Sequence, residues 1–119
     1  GVGSFLSVHE GPQSISKKNS NFELREGMIL SNEPGYYRNN KYGIRIENLL
    51  LVKQSKFEGF LEFEDLTLFP YEKNLIDLEL LSKDQIDWIN NYHKLVYNKL
   101  NKYLSKETKS WLLKKTKAI

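Results

Sequence analysis

The chain has 119 residues, of which 39% are hydrophobic and 28% are charged, and its formal net charge is +3. A chain of this length buries one modest core, and it has no apolar run of about 18 residues, so we expect one domain or part of one and no membrane span. The absence of cysteine excludes disulfides and thiolate metal sites, and two histidines are too few for a histidine-rich zinc site. This composition suits a cytoplasmic protein.

The first residues indicate that the sequence is a piece of something longer. It begins Gly1-Val2-Gly3, and its only methionine is Met28. We therefore expect the rest of the same polypeptide to lie upstream.

Residues 1–27 are rich in Gly, Ser, Pro and Asn and predict an extended loop region with one short strand at 5–8. Short strands joined by turns are predicted over the next part of the chain: a strand at 28–32, a turn at 34–35, a polar connection at 36–42, a long strand at 43–52 and a third strand at 60–69.

The remaining sequence predicts helices. Ser82 and Gln85 have the spacing of a capping box, and apolar residues three and four apart continue the helical pattern to about residue 104. Ser105 is predicted to cap a last short helix. We therefore predict an α+β fold in which antiparallel strands precede helices, with the loop at 70–81 as the only plausible subdivision.

The C-terminal part of the chain is basic. Residues 94–119 contain eight lysines, one acidic residue and no arginine. These lysines alternate with apolar residues, which is typical of the solvated face of an amphipathic helix. A nucleic-acid-binding domain is the alternative, but interleaved arginines and a basic motif are absent, so we expect no nucleic-acid partner.

Two glutamates carry most of the functional information. Glu33 lies in SNEPGYY and Glu47 in YGIRIEN. If these segments pair as a hairpin, the two carboxylates converge, and converging carboxylates repel each other unless one is protonated or a cation neutralises both. Hard, oxygen-liganded divalent metals are the usual solution. Taken singly, each candidate residue also has a purely structural interpretation: Glu33 as an ordinary strand-end acid, Glu47 as a charge partner of Arg45, and His9 as a loop histidine.

Taken together, the motifs resemble one family. The segments VGSFLSVHEGP (2–12), NEPGYY (32–37) and GIRIEN (43–48), in this order, resemble the C-terminal half of Xaa-Pro aminopeptidase (aminopeptidase P) in peptidase family M24. The likeness continues through LTLFP (66–70), WINNYH (88–93) and the last tryptophan, as in the three-domain members with a C-terminal extension. It implies the C-terminal part of a pita-bread metallopeptidase fold, with 1–70 in the catalytic domain and 71–119 as its helical extension.

The resemblance also implies an activity. Members release the N-terminal residue from peptides with proline in the second position, using water activated by two divalent metal ions, usually manganese, with zinc or cobalt as alternatives. Glu33 matches a ligand of one ion and Glu47 a ligand that bridges both. His9 matches a catalytic histidine that contacts substrate without binding metal, and Tyr37 and Arg45 match residues that support the carboxylates.

The other family ligands, two aspartates and one histidine, have no match in this chain. We therefore expect them upstream and expect the 119 residues alone to be inactive. The resemblance further implies a homodimer, a peptide substrate and no membrane partner. The alternative is a pita-bread pseudo-enzyme that acts as a protein-binding module, which would have no reason to keep His9, Glu33, Arg45 and Glu47 together.

Overall fold

The computed structural model describes residues 1–3, 10–18 and 20–119. These form two compact units, Gly1–Thr67 and Leu68–Ile119. The first unit contains the described strands and the second contains the described helices, as expected for the predicted α+β arrangement. The strand predicted at 5–8 and the candidate residue His9 lie outside the described residues.

The first unit contains β1 (Ile29–Asn32), β2 (Gly35–Arg38), β3 (Tyr42–Arg45), β4 (Asn48–Gln54) and β5 (Leu61–Asp65). The second contains α1 (Lys83–Leu100), α2 (Lys106–Lys115) and 3-10 turns at Lys73–Leu75, Leu78–Leu80 and Asn101–Tyr103. No helix in the described ranges is long and apolar enough to cross a membrane.

Strand β4 is the centre of a three-stranded antiparallel sheet in the order β1-β4-β5. Its side chains alternate in burial, as a strand with one covered face requires, and Leu50 and Val52 point into the core with Leu30 and Val2. Asn48 is buried at the start of β4, where its Nδ2 donates to Asp65 on β5 at 2.9 Å. The sheet thus fixes the backbone immediately after Glu47.

The predicted single strand at 43–52 and the predicted polar connection at 36–42 are both wrong. Strands β3 and β4 are separate, and β2 occupies most of the supposed connection, pairing with β3 in a second, two-stranded sheet. Proline has no N–H to donate, so the ladder is interrupted around Pro34. Asn40 closes the hairpin with a φ of 55°, a left-handed conformation that asparagine tolerates. Two tyrosines in β2 suit a strand despite their polar hydroxyls.

The third strand is shorter than the predicted 60–69. Regular pairing in β5 ends at Asp65, although the Leu66 N–H still donates to the Leu49 carbonyl at 2.8 Å. Beyond this point the Thr67 hydroxyl, rather than a backbone carbonyl, accepts from the Leu49 N–H at 2.9 Å. The Thr67 side chain thus takes the place of a backbone acceptor in the ladder, and the strand ends before it.

The helix starts are confirmed. Ser82 and Gln85 form the complete capping box of α1, and the Ser105 side chain caps α2 by accepting from Thr108. The predicted end near 104 is wrong, because α1 stops at Leu100 and a 3-10 turn follows. There the Asn101 side-chain amide donates to the Tyr97 carbonyl at 2.8 Å and to the Asn98 carbonyl at 3.2 Å, and the Asn101 backbone N–H also donates to the Tyr97 carbonyl.

The core of the second unit forms where α1 and α2 meet. Tyr92 and Val96 of α1 and Leu112 of α2 are its buried members. Partly buried apolar side chains surround them, namely Leu68, Tyr71, Tyr97, Leu100 and Leu104. The lysines of 94–119 are mostly exposed, as the amphipathic pattern predicted.

Candidate metal centre

Glu33 and Glu47 lie opposite each other between the two ladders. The last pair of the first ladder is Asn32 with Asn48, and the first pair of the second is Gly35 with Arg45. Two residues separate these pairs on each strand, so the register continues without a slip. A hydrogen bond of 3.1 Å from the Ile46 N–H to the Pro34 carbonyl holds the gap together. The predicted convergence of the two glutamates therefore follows from the hairpin.

One guanidinium lies beside both carboxylates. The Arg45 Nη1 is 3.4 Å from Glu33 Oε2 and 4.0 Å from Glu47 Oε2. The side chains are partly exposed, at 51% for Arg45, 31% for Glu33 and 39% for Glu47. Ion pairs at such exposure contribute little to stability, so the backbone register, rather than the ion pairs, brings the carboxylates together.

Two further hydrogen bonds orient this group. The Ser31 hydroxyl donates to Glu33 Oε1 at 2.9 Å, which leaves Oε2 to Arg45. The Arg45 Nε donates to the Tyr37 hydroxyl, also at 2.9 Å. Alternation along the strands places Ser31, Glu33 and Tyr37 on one face of the ribbon, together with Arg45 and Glu47.

The electrostatics of the group favour a charged arginine. The pKa of Arg45 is raised, first by its hydrogen bond to Tyr37 and its charge interaction with the same side chain, and then by the negative charges of Glu33 and Glu47. Arg45 is thus a permanent cation beside the two carboxylates.

The donor set fits a hard divalent cation but does not complete its coordination. Glu33 and Glu47 offer carboxylate oxygens, which Mn²⁺ and similar ions prefer. Within the described ranges no three His, Cys, Asp or Glu side chains form a group able to hold a metal. His9 lies outside those ranges, and His93 belongs to α1 in the second unit. Two carboxylates can therefore serve as part of a metal site.

Sequence reasoning brought together Glu33, Glu47, Arg45 and Tyr37 but missed Ser31. Its position two residues before Glu33 on the predicted strand was the available signal, because alternate residues share a face. It also missed that glycines stand next to Tyr37 on this face. No sequence pattern shows which side chain lies over a glycine.

The comparisons with known proteins identify the family. Metallopeptidase family M24 matches residues 1–54, and the C-terminal region of peptidase M24 matches residues 59–119. The chain belongs to metallopeptidase family M24. Its predicted fold class, the C-terminal part of the pita-bread metallopeptidase fold, is confirmed.

Two similar proteins are named as aminopeptidases. Aminopeptidase P2 of Arabidopsis thaliana is 46% identical over 127 residues and covers 100% of this chain. A probable Xaa-Pro aminopeptidase P of Pyrenophora teres f. teres is 47% identical over 126 residues and covers 98% of it. The chain spans 18% and 19% of the lengths of these two proteins.

A solved M24 structure is also similar. The crystal structure of X-prolyl aminopeptidase from Caenorhabditis elegans, described as a cytosolic enzyme with a di-nuclear active site, superposes with a TM-score of 0.87 at 37% identity. It covers 99% of this chain, which spans 20% of that enzyme. The family resemblance seen in the motifs is thus confirmed along the whole chain.

Proposed function

We propose that this chain is part of an Xaa-Pro aminopeptidase, a metallo-exopeptidase that releases the N-terminal residue from peptides with proline in the second position. The observation that carries the proposal is the facing pair Glu33 and Glu47, held on a hairpin of a chain 46% identical to an aminopeptidase P. Arg45 offsets part of the repulsion between the facing carboxylates, and a divalent cation bound by both would offset more of it, which supports a metal-binding role.

In this proposal Glu33 and Glu47 would hold two divalent ions, and Glu47 would be the residue that contacts both. The di-nuclear site of the nematode relative supports two ions, and the hard oxygen donors favour manganese, with zinc or cobalt as alternatives. Such ions supply Lewis acidity and an acidified water for peptide hydrolysis. The upstream part of the same polypeptide supplies the remaining ligands.

The residues of this chain then have distinct tasks. Ser31 and Arg45 each occupy one oxygen of Glu33 and so restrict its rotation. Tyr37 holds Arg45 through its hydroxyl. His9 is proposed as the catalytic residue because of its place in the matching motif. It would donate a hydrogen bond to the substrate carbonyl oxygen as negative charge develops there.

The wider assignment rests on the relatives. We assign 1–70 to the catalytic domain and 71–119 to its helical extension, supported by the two compact units and the two family ranges. A cytoplasmic location is supported by the cytosolic nematode relative. We also propose that the protein forms a homodimer, that its substrates are peptides, and that it binds neither nucleic acid nor membranes.

The test uses the complete polypeptide that carries this region. Glu33→Gln, Glu47→Gln and the double variant are compared for bound metal and for release of the N-terminal residue from an Xaa-Pro peptide. Because both carboxylates serve one centre, each single variant is expected to lose nearly as much activity as the double variant. Glu62→Gln is the matched control, since this glutamate on β5 pairs with Lys53 and is expected to keep full activity.

His9→Ala completes the test. It is expected to lower turnover by roughly two orders of magnitude with bound metal unchanged, as loss of an oxyanion donor does. Additive losses from the two glutamate variants would contradict a shared centre. A folded wild-type protein that binds no divalent metal and cleaves no Xaa-Pro peptide would overturn the enzyme proposal in favour of a binding module.

A further inference from the structure

Tyr37 lies across two glycines of the β2–β3 ribbon. Gly43 is its direct partner in the register, and Gly35 is two residues before it on the same strand. A Cβ atom added to Gly43 would lie 2.6 Å from Tyr37 Cδ1, and one added to Gly35 would lie 2.7 Å from the Tyr37 hydroxyl oxygen. Both distances are shorter than a van der Waals contact allows. The tyrosine ring therefore occupies the volume that any other side chain would need at these two positions.

Backbone geometry does not explain these glycines. The described glycines with positive φ are Gly27 and Gly59, where only glycine is unstrained. Gly35 and Gly43 are not among them, and both belong to paired strands. A glycine inside a strand weakens it and commonly marks a close approach of another group. Here the approaching group is the Tyr37 ring.

We propose that Gly35 and Gly43 are positioning residues of the metal centre, forming a seat in which Tyr37 fixes the direction of Arg45. The inference rests on the proposed function. The two glycines and the ring lying over them are called the Tyr37 seat. It acts through Tyr37 on Arg45, and through Arg45 on the two carboxylates.

The hydrogen-bond geometry supports this chain of contacts. Arg45 is half-exposed, so packing alone does not restrict its long side chain. Its Nε donates to the Tyr37 hydroxyl at 2.9 Å, and its Nη1 lies beside Glu33 and Glu47. A ring pushed off the glycines would carry its hydroxyl away from Nε. The guanidinium would lose the contact that sets its direction, and the carboxylates would lose their common neighbour.

The first experiment observes the arginine directly in the 119-residue chain. Nitrogen-15 NMR of arginine Nε–H groups gives three signals, because the chain has only Arg25, Arg38 and Arg45. The Arg45 signal is expected to exchange with water more slowly than the other two. Gly43→Ala is expected to abolish this protection by displacing the ring. Tyr37→Phe, which keeps the ring on the seat and removes only the hydroxyl, is expected to do the same.

Gly11→Ala is the matched control, because a Cβ added there meets no atom of residues 1–3, 10–18 or 20–119 within 4 Å, and Gly11 does not have a positive φ. It is expected to leave the Arg45 signal unchanged. Persistence of Arg45 protection in a folded Gly43→Ala variant would overturn the seat, and its persistence in Tyr37→Phe would overturn the contact through which the seat acts on Arg45. Tyr37→Phe keeps the test valid if Gly43→Ala fails to fold.

The second experiment measures Mn²⁺ affinity calorimetrically in the complete polypeptide. Gly43→Ala and Tyr37→Phe are expected to weaken Mn²⁺ binding by about 10-fold or more, as loss of supporting contacts around metal ligands does, and Gly11→Ala is expected to bind like wild type. Loss of Arg45 protection with unchanged Mn²⁺ affinity would refute the positioning role. A wild-type protein that binds no Mn²⁺ at all would instead refute the proposed metal function, whatever the arginine signal shows.

Discussion

Glu33 and Glu47 are separated by thirteen residues of sequence, yet they occupy facing positions of a single antiparallel register. Like charges directly opposite each other destabilise a pair of strands. In this chain Arg45 lies beside both carboxylates and offsets part of that repulsion. The hairpin therefore holds an unfavourable charge arrangement in place. Removing one of the two charges should change the stability of the chain in a measurable way.

Neutralising one carboxylate should not harm the fold. Glu47→Gln in the metal-free 119-residue chain is expected to leave the free energy of unfolding unchanged or to raise it by less than about 1 kcal/mol, because it removes a facing like charge. Urea denaturation measures the change. Glu64→Gln is the control, since Glu64 pairs with Lys53 at 3.4 Å and its loss should cost a few tenths of a kcal/mol. A larger loss from Glu47→Gln than from Glu64→Gln would show that the facing pair stabilises the hairpin.

The 119-residue chain should be a poor metal binder and an inactive peptidase. Its described residues offer two facing carboxylates and no group of three metal-binding side chains, whereas the family resemblance implies a centre with five ligands, and affinity depends on the number and preorganisation of ligands. Calorimetric titration with Mn²⁺ is expected to show weak binding, and an Xaa-Pro dipeptide in excess Mn²⁺ should remain uncleaved. Two tight Mn²⁺ sites per chain, or turnover equal to that of the complete polypeptide, would disprove the need for upstream ligands.

The second unit should lose stability in mild acid because of His93. This side chain is 0% exposed on α1, and its Nε2 accepts from the Tyr71 N–H at 3.0 Å. Burial, and then the charge of Lys73, lower its pKa from the ordinary 6.5. The carbonyl of Lys117 opposes this shift in part, although Nδ1 has no hydrogen bond of normal geometry within the described residues.

The sign of the effect follows from the lowered pKa. The folded chain keeps His93 neutral, whereas the unfolded chain binds a proton below 6.5, so stability is full above that pH and falls as pH decreases through it toward the lower folded-state pKa. Urea denaturation from about pH 7.5 to pH 5 measures the slope. His93→Gln, which has no titrating group, is expected to flatten it. An equal slope in both proteins would exclude His93 as the cause.

Neighbouring leucines on α2 provide a matched pair for the core. Leu112 is 2% exposed and belongs to the cluster with Tyr92 and Val96, whereas Leu113 is 49% exposed. Leu112→Ala is expected to cost about 2–5 kcal/mol of unfolding free energy through lost burial and the resulting cavity. Leu113→Ala should cost less than about 1 kcal/mol. Thermal and urea denaturation of both variants measure the difference, and equal losses would contradict the described core.

Helix starts, which depend on residues close together in the sequence, were predicted better than the pairing of strands. Ser82 and Ser105 marked both helix starts, because capping depends on residues only three positions away. The division between β3 and β4 was missed, because the pattern at 43–52 does not show that Pro34 lies on the opposite strand. The likeness to a known family placed Glu33 and Glu47 in one site. The direction of Arg45 was not predictable, since it depends on a ring lying over two glycines.

The continuous register also shows which parts of the hairpin tolerate changes in length. The loop at 39–41 begins beyond the last pair, Arg38 with Tyr42, so lengthening it leaves every pair between it and the glutamates in place. Removing one residue at Pro34 or Ile46 would instead turn one carboxylate to the opposite side of the ribbon. The hairpin tip is therefore a suitable place to insert an epitope or a fluorescent label, which would report on this part of the protein while the two glutamates stay face to face.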